Sequence, residues 1–323
     1  MNCNSEIKNI DIKHIELYDD SNKISPHYPS AIDDLAVTIK NTGILVPPAV
    51  APKNDKTYRI VSGFGRIAAL LKNGFSGTIP CLVFMELSHE AELTFNIMDN
   101  LSTRKFNPTE IAAALKKISA FHDEKYVISN FLPLFQLAPS EPNYKKYISL
   151  NLLAESVLEE LFFERLPLAA AFIIAKFDAA AQADFLKMIK TCRMGANIIN
   201  EMAVNVFEAS MQHSKSPAEI LKIIKLDLVI SGDKMNTNQK TEFLRANLLN
   251  LRRPEYQKAL ADFHEKISDL ASNAVSVNPY PYFEKDEINI SFSVKSIKDF
   301  DNKLKALNKI RNSKNIEGYI SND

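Results

Sequence analysis

Two short stretches of this sequence carry residue types that bind phosphate groups. The first is Gly63-Phe64-Gly65-Arg66, which follows a run typical of a strand and precedes an apolar run typical of a helix. A glycine turn between a strand and a helix leaves backbone N–H groups unpaired where the helix begins, and an arginine there adds a planar fork of donors. Because these groups suit an anion, the stretch predicts a phosphate or nucleotide site.

The second stretch combines a carboxylate, a carboxamide and two cations. Asp99 and Asn100 are adjacent at the end of a predicted helix, and Arg104 and Lys105 follow them. An acid beside an amide can hold a hydrated Mg²⁺ and orient a phosphate, while the two basic residues supply counter-charge. This stretch therefore predicts a metal-assisted phosphate site.

Both stretches also fit a purely structural role. A strand, a glycine turn and a helix can be packed for stability alone. Asn107 followed by Pro108 is typical of a helix start, with the asparagine as N-cap and the proline at the first helical position. The structural and the functional interpretations are compatible with each other, and both remain open from the residues.

The elements around these stretches predict a small α/β region. Strands are predicted at 7–17, 44–51, 58–61 and 79–85, and helices at 30–41, at 66–71 and from Ser88 onward. Ser30 is the expected cap of the first helix, and Gly43 ends it. The prolines at 47 and 48 place the second strand at a sheet edge or at its entry.

From Pro108 onward the sequence is mostly helical in pattern. Apolar residues recur at helical spacing up to 213, and polar stretches at 214–217 and 231–238 interrupt the helices that follow. Near the end, strands are predicted at 275–277, 279–283 and 288–294, and Ser296 is the expected cap of a last helix. The predicted fold class is α+β and predominantly helical, with domains at 1–107, 108–213, 214–270 and 271–323.

Composition excludes several classes of protein. The 323 residues contain 39 Lys+Arg and 39 Asp+Glu, so no global charge favours a polyanion partner. The longest apolar run, 166–175, is too short to span a bilayer, and the start has no signal pattern, so we expect a cytoplasmic protein without a membrane partner. Cys3, Cys81 and Cys192 are widely spaced, and neither they nor the six histidines form a metal or disulfide motif.

Three stretches in a fixed order make the N-terminal region resemble ParB-type chromosome-partition proteins. They are ILVPPAV at 44–50, YRIVSGFGRIAAL at 58–70 and DNLSTRKFNPTEIA at 99–112. In the family, the corresponding patterns are HGxxQPxxV, GERRxxAA and ENLQRxxLNPxEEA. The resemblance implies a ParB/sulfiredoxin-like α/β domain over 1–107.

The resemblance also implies a ligand and its contact residues. In the family this domain binds CTP with Mg²⁺, and the two later stretches contact the triphosphate. The implied metal residues are Asp99 and Asn100, and hydrolysis, as in a weak CTPase, is left open. The implied nucleotide or phosphate residues are Gly63, Phe64, Gly65, Arg66, Thr103 and Arg104.

Other proteins of this fold supply the alternatives. Sulfiredoxin has a reactive cysteine at the position that Phe64 fills here, so its chemistry would lack a nucleophile. Free-serine kinases also resemble the domain, and the candidates for the general base they require are Asp33, Asp34 and Asp99. The alternatives are therefore a small-molecule kinase-like enzyme and a non-catalytic adaptor whose sites have decayed.

The resemblance places a helix-turn-helix in the middle helices. Residues 111–213 contain ten basic and eleven acidic side chains, so a basic face for DNA must be local. An alternative is that the recognition helix of this helix-turn-helix has become a packing element of a helical bundle. The predicted DNA-binding residues are Asn143, Tyr144, Lys145, Lys146 and Ser149.

The C-terminal pattern of a helix, two strands and a helix resembles the dimerisation domain of the same family, a small αββα domain. A domain this small buries little core alone, and pairing with a second copy would complete it. A hairpin and helix packed on the chain's own helices is the alternative. Together the resemblances imply a nucleoid-associated, homodimeric, CTP-switched clamp on DNA in chromosome or plasmid partition, with a partition ATPase as a possible partner.

Overall fold

The protein folds into two compact units. The structure is a computed structural model that describes residues 4–26, 28–54, 56–232, 235–268, 275–280, 284–313 and 319–320. One unit contains the described residues up to Phe207 together with Ser216–Leu221. The other contains Glu208–Lys215 and the described residues from Lys222 onward.

A five-stranded mixed sheet organises the N-terminal part of the first unit. Its strands are β1 (Ser5–Asp11), β2 (Ile15–Glu16), β3 (Ala49–Pro52), β4 (Tyr58–Ser62) and β5 (Thr78–Phe84), in the order β1-β5-β3-β4-β2. The pairs β1/β5 and β3/β4 are antiparallel, whereas β3/β5 and β2/β4 are parallel. Strand β4 ends at Ser62, so its carboxyl end leads directly into the glycine turn at 63–66.

Helices cover both faces of this sheet. They are α1 (Pro29–Thr42), α2 (Phe64–Lys72) and α3 (His89–Thr103). Ile60 of β4 packs in a core with residues of α1 and α2, whereas its neighbour Val61 packs on the opposite face near Phe95 of α3. This alternation places the start of α2 and the end of α3 on either side of one strand end.

Helices make up the rest of the first unit. They are α4 (Pro108–Ile118), α5 (Glu124–Asn130), α6 (Glu141–Ser149), α7 (Glu155–Phe162), α8 (Leu168–Ile174) and α9 (Ala179–Cys192), followed by α10 (Ala196–His213) and α11 (Pro217–Ile223), each of which spans a boundary between the units. A shared core joins α3 to α4, α5 and α6 through Leu93, Leu115, Val127 and Tyr144.

The second unit combines helices with a small hairpin. Its elements are α12 (Leu226–Ser231), α13 (Thr237–Arg252), α14 (Pro254–Ser268), β6 (Ser276–Pro279), β7 (Ile288–Ser291) and α15 (Ile297–Arg311). The strands β6 and β7 are antiparallel, and Val277 and Ile310 share a core with Phe263 of α14. No helix among the described residues is long and apolar enough to cross a membrane.

The predicted fold class, α+β and predominantly helical, is confirmed. The caps predicted at Asn107 and Ser296 are present, and Asn107 forms a complete capping box with Glu110. Ser88 is the N-cap of the helix that was predicted to begin there. Helix α1 differs, because its N-cap is Tyr28, two residues before the predicted cap Ser30, and Pro29 is its first residue.

Three predicted strands have other limits. The first, 7–17, is broken by a 3-10 turn at Ile12–His14 into β1 and β2. The second begins only at Ala49, after the two prolines, because proline lacks the N–H that a ladder requires. Ser291, where β7 ends, falls before the predicted limit of 294. Residues 281–283 of the predicted strand 279–283, and residues 269–270 at the end of the predicted region 214–270, lie outside the described residues. The four domain boundaries stay a prediction.

Candidate functional site

A cleft of about 630 Å³ opens in the first unit beside the carboxyl end of β4. All eight residues that the sequence predicted for phosphate and metal binding line it. They come from stretches separated by more than thirty positions, the glycine turn at 63–66 and the end of α3 at 99–104. The fold therefore brings the two predicted stretches to one place, while their role stays a prediction.

The glycine turn depends on Gly63. Its φ of 96° lies in the left-handed region, and a Cβ there would lie 2.8 Å from Pro48 Cβ and 3.2 Å from Arg66 Cζ. Only glycine fits both the backbone and this close approach. Helix α2 begins at the next residue, so the amides of its first turn have no acceptor inside the helix.

Arg66 is largely enclosed by its own unit. Its Nη1 donates to the carbonyl oxygens of Val46 at 2.8 Å and Pro47 at 3.0 Å, and its Nη2 lies 3.7 Å from Asp99 Oδ2. Burial lowers the pKa of the guanidinium, and the Asp99 charge opposes that shift. Because arginine titrates so far above neutrality, the group stays a cation in the cleft.

Asp99 and Asn100 take different partners at the end of α3. Asp99 Oδ2 accepts a 2.5 Å hydrogen bond from Ser62 Oγ. Asn100 Nδ2 donates to Asn96 Oδ1 at 2.8 Å, and Asn100 Oδ1 accepts from Arg104 at 3.1 Å. The Asp99 carboxylate is therefore bonded to Ser62, and the Asn100 amide oxygen is bonded to Arg104.

These two residues fit a magnesium ion only in company with phosphate. The described residues contain no group of three or more His, Cys, Asp or Glu side chains placed to hold a metal. Magnesium is commonly bound by one or two carboxylates together with water and substrate phosphates. Asp99 supplies one carboxylate and Asn100 one amide oxygen, which is enough protein ligation for an ion that also binds water and phosphate.

Arg104 is paired with Glu110 in this structure. Its two terminal nitrogens lie 2.7 Å from the two carboxylate oxygens of Glu110, and Nη2 also lies 2.9 Å from Ser25 Oγ. Glu110 is buried and accepts from the Asn107 amide at 3.0 Å as part of the capping box. The same carboxylate thus neutralises Arg104 and fixes the start of α4.

A buried polar network behind the cleft fixes α3 against β4. Asn96 donates to the carbonyl oxygens of Val61 at 2.6 Å and Asn22 at 2.9 Å. Asn22 donates to Glu92 at 2.9 Å, and Glu92 forms an ion pair with Arg59 Nε at the same separation. Because buried polar groups are stable only when paired, this network sets the position of α3.

Two predicted phosphate residues have local partners. Phe64 is partly buried and packs against the core between the sheet and α1 and α2. Thr103 Oγ1 donates to the Asn100 carbonyl 3.1 Å away, within its own helix. In this conformation both residues shape the cleft wall.

The sequence prediction missed four polar residues of the cleft and its surroundings: Ser25, Ser62, Asn96 and Glu110. Two of them had a signal in the sequence. Asn96 is spaced by four residues from Asn100, as Asn100 is from Arg104, so all three share a helix face. Glu110 stands three positions after the Asn107 cap, as in a capping box. Ser25 and Ser62 carry no local signal.

Of the three carboxylates considered for a kinase-like base, only Asp99 lines the cleft. Asp33 pairs with Lys72 on the surface, and Asp34 is exposed on α1.

Cys81 is buried in β5, and burial raises the pKa of its thiol to about 11. The thiol is therefore protonated at neutral pH and has no thiolate character.

The predicted DNA-binding residues lie on α6 and differ in exposure. Tyr144 is buried in the core, and its hydroxyl lies 2.9 Å from Ser119 Oγ, so this side chain packs instead of facing outward. Asn143 Nδ2 donates to the Ala138 carbonyl at 3.0 Å. Ser149 Oγ donates to the Lys146 carbonyl at 2.7 Å.

The two lysines of α6 are the exposed members of this set. Lys145 forms an ion pair with Glu141 one turn earlier, which raises the pKa of the lysine, and Lys146 is exposed beside it. Helices α5 and α6 are joined by residues 131–140, a longer connection than the three- or four-residue turn of a helix-turn-helix. The role of α6 in DNA binding stays a prediction.

Comparison with known proteins identifies the N-terminal region. Residues 2–101 match the family model of the ParB N-terminal domain. This part of the chain is therefore similar to ParB N-terminal domains. The matched region contains the sheet, the glycine turn and Asp99-Asn100, so the resemblance drawn from the three sequence stretches is confirmed for this part.

Curated ParB relatives match mainly over this domain. A probable chromosome-partitioning protein ParB of Pseudomonas putida is 34% identical over 90 residues, which cover 28% of this chain and 30% of the relative. A nucleoid occlusion protein of Geobacillus kaustophilus is 30% identical over 92 residues, 28% of this chain and 32% of the relative. The chain thus spans about a third of these relatives.

One ParB relative matches over a longer range. A probable chromosome-partitioning protein ParB of Vibrio cholerae is 20% identical over 242 residues, which cover 74% of this chain and 77% of the relative. Two solved structures of C-terminally truncated Caulobacter crescentus ParB also match. The complex with CTP-gamma-S has a TM-score of 0.27 at 23% identity and covers 55% of this chain and 96% of that chain. The complex with the centromeric parS site has a TM-score of 0.34 at 21% identity and covers 61% of this chain and 98% of that chain.

Proposed function

We propose that this chain is a ParB-like DNA-associated protein whose N-terminal domain binds CTP with Mg²⁺ in the cleft beside β4. The observation that carries the proposal is the convergence of the glycine turn and the end of α3 on one cleft. The family match over residues 2–101 supports it, because that match contains both the turn and Asp99-Asn100.

The triphosphate would take the polar side of the cleft. The first-turn amides of α2 and the Arg66 guanidinium offer donors to phosphate oxygens. Arg104 would reach a phosphate by exchanging one or both of its Glu110 bonds, and Glu110 would keep its bond to the Asn107 amide. Asp99 and Asn100 would hold Mg²⁺, which neutralises phosphate charge when bound.

DNA binding is proposed for the middle helices and is supported by the names of the relatives. Relatives with the same domain are named for chromosome partition and for nucleoid occlusion. On α6, Lys145 and Lys146 present the exposed positive charge that a phosphate backbone requires. The protein would accordingly be nucleoid-associated, with a partition ATPase as a possible partner.

Self-association is proposed for the second unit. Helix α15 carries an apolar face, where Ile297 is 84% exposed and Phe300 and Leu304 are each more than 40% exposed. Exposed apolar patches of this kind mark interaction surfaces. A symmetric dimer through this face would let CTP act as a switch on a clamp around DNA.

Calorimetric titration of the full chain with CTP, ATP and GTP, each with and without Mg²⁺, tests the nucleotide assignment. Saturable binding that favours CTP and needs Mg²⁺ is the expected result, and phosphate release measured on the same samples would reveal hydrolysis. Selective ATP binding with turnover of a small acceptor would instead support the kinase-like alternative. If no nucleotide binds, the adaptor alternative replaces the proposal.

A further inference from the structure

One side chain of the cleft comes from well beyond the ParB N-terminal domain. Phe162, the last residue of α7, lines the same cleft as Arg66 and Asp99, whereas the family match ends at residue 101. Both α7 and the ParB domain belong to the first compact unit. The cleft is therefore completed by a helix that the family match does not include.

An aromatic cluster fixes Phe162 in this position. The buried ring of Tyr28, the N-cap of α1, meets the Phe162 ring edge-to-face at 5.2 Å and the Phe163 ring at 5.7 Å. On the same helix, Val157 and Leu161 are buried. Aromatic pairs at this separation add stability beyond their buried area, so the end of α7 is held against the start of α1.

The chemistry of the cleft walls separates two kinds of contact. Donors and charges come from the turn, from α3 and from the start of α4, as described above. Helix α1 adds Ala31, Ile32 and Leu35, which are apolar like Phe162. Ligand sites of this type place a few polar groups against a mainly apolar wall, and aromatic rings pair well with nucleobases.

We propose that Phe162 contacts the nucleoside part of the bound nucleotide, so that the ParB domain and α7 form the site together. This inference rests on the nucleotide-binding function proposed above. It has a second consequence, because a ligand that touches both parts stabilises their packing. Nucleotide binding then stabilises the packing of α7 against α1. By the same linkage, a change that displaces α7 weakens nucleotide binding.

Phe162→Ala and Phe163→Ala form a matched pair that tests this contact in the full chain. Both remove a phenyl ring that touches Tyr28, but Phe163 is not among the cleft residues of the described chain and stacks on Arg165 at 4.8 Å. With CTP and Mg²⁺ as the probe, Phe162→Ala should weaken binding roughly tenfold, the usual size for loss of a base–aromatic contact. Phe163→Ala removes no side chain that lines the cleft, so it should lose clearly less affinity than Phe162→Ala.

Equal losses in the two variants would assign the effect to the Tyr28 cluster and overturn the proposal. Unchanged affinity in Phe162→Ala would overturn it as well, while leaving the proposed function intact if the unmodified chain binds CTP. Failure of the unmodified chain to bind would remove the proposed function and this inference together. Thermal unfolding of each variant identifies any that does not fold.

Hydrogen exchange on the unmodified chain supplies a readout that needs no variant. Addition of CTP with Mg²⁺ should slow amide exchange in residues 155–163 as well as in the glycine turn and the end of α3. Protection confined to the turn and α3, with 155–163 unchanged under saturating CTP, would overturn the role of α7.

Discussion

At the scale of single residues, the cleft depends on Gly63 and on two arginines that already have acceptors. Gly63 has no room for a side chain, since a Cβ would meet Pro48 at 2.8 Å. Arg66 donates to backbone carbonyls and Arg104 to Glu110, so both side chains have internal acceptors before any ligand enters. A nucleotide must therefore compete with internal partners for both cations.

Gly63→Ala should destabilise the protein more than Gly74→Ala. Both glycines have positive φ, but a Cβ at Gly74 meets nothing within 4 Å, whereas one at Gly63 collides with Pro48. Backbone strain alone costs about 1–2 kcal/mol, and the collision adds to that cost. Urea unfolding of the two variants measures the difference, and equal losses would show that Pro48 yields without cost.

Residue types and local spacing were enough to predict two of the stretches that line the cleft, and the family resemblance joined them in one site. The glycine turn and Asp99-Asn100 carry a phosphate-binding pattern that can be read without knowledge of the fold. Ser62 and Phe162 could not be predicted, because a serine at a strand end and a phenylalanine in an apolar helix are ordinary until distant elements meet. Their role arises only from packing across long sequence separations.

At the scale of elements, local caps were predictable and helix faces were less so. Ser88, Asn107 and Ser296 begin their helices as predicted, because a cap depends only on the next three residues. Tyr144 illustrates the opposite case. Its hydroxyl and its neighbouring lysines suggested a DNA surface, but the face of α6 that carries it packs on α4, where Ser119 is its partner.

Charge reversal on α6 tests its proposed contact with DNA. Lys145→Glu with Lys146→Glu should abolish retention of DNA in a shift assay, because each removes an exposed cation and adds a repulsive charge. The same change on α9, Lys187→Glu with Lys190→Glu, alters net charge equally on another exposed helix. Retention lost only in the α6 variant supports the assignment, and equal retention in both removes α6 from it.

At the scale of the whole molecule, the cleft proposed for nucleotide lies in the first unit and the exposed apolar face lies in the second. In the second unit, the small hairpin β6–β7 leaves Ile290 and Phe292 more than a third exposed. So small an apolar core gains most when a second copy covers its open face. The two proposed activities can therefore be separated by variants in different units.

Sedimentation of the full chain should show a dimer that Ile297→Asp converts to monomer. Ile297 is 84% exposed on α15, so a charge there costs nothing in the isolated unit but is buried in the proposed interface. Leu228→Asp is the matched control, since Leu228 is 63% exposed on α12 of the same unit. A dimer that survives Ile297→Asp would place self-association elsewhere.

The most direct test of the account is a CTP titration, with Mg²⁺, of the unmodified chain beside Arg66→Ala and Arg165→Ala. Arg165 is an exposed arginine of the same unit that pairs with Glu160 and does not line the cleft. Loss of a charge-assisted bond to phosphate should weaken CTP binding by about tenfold or more in Arg66→Ala, and Arg165→Ala should match the unmodified chain. Equal CTP affinity in the Arg66→Ala variant and the unmodified chain would contradict the proposed phosphate site.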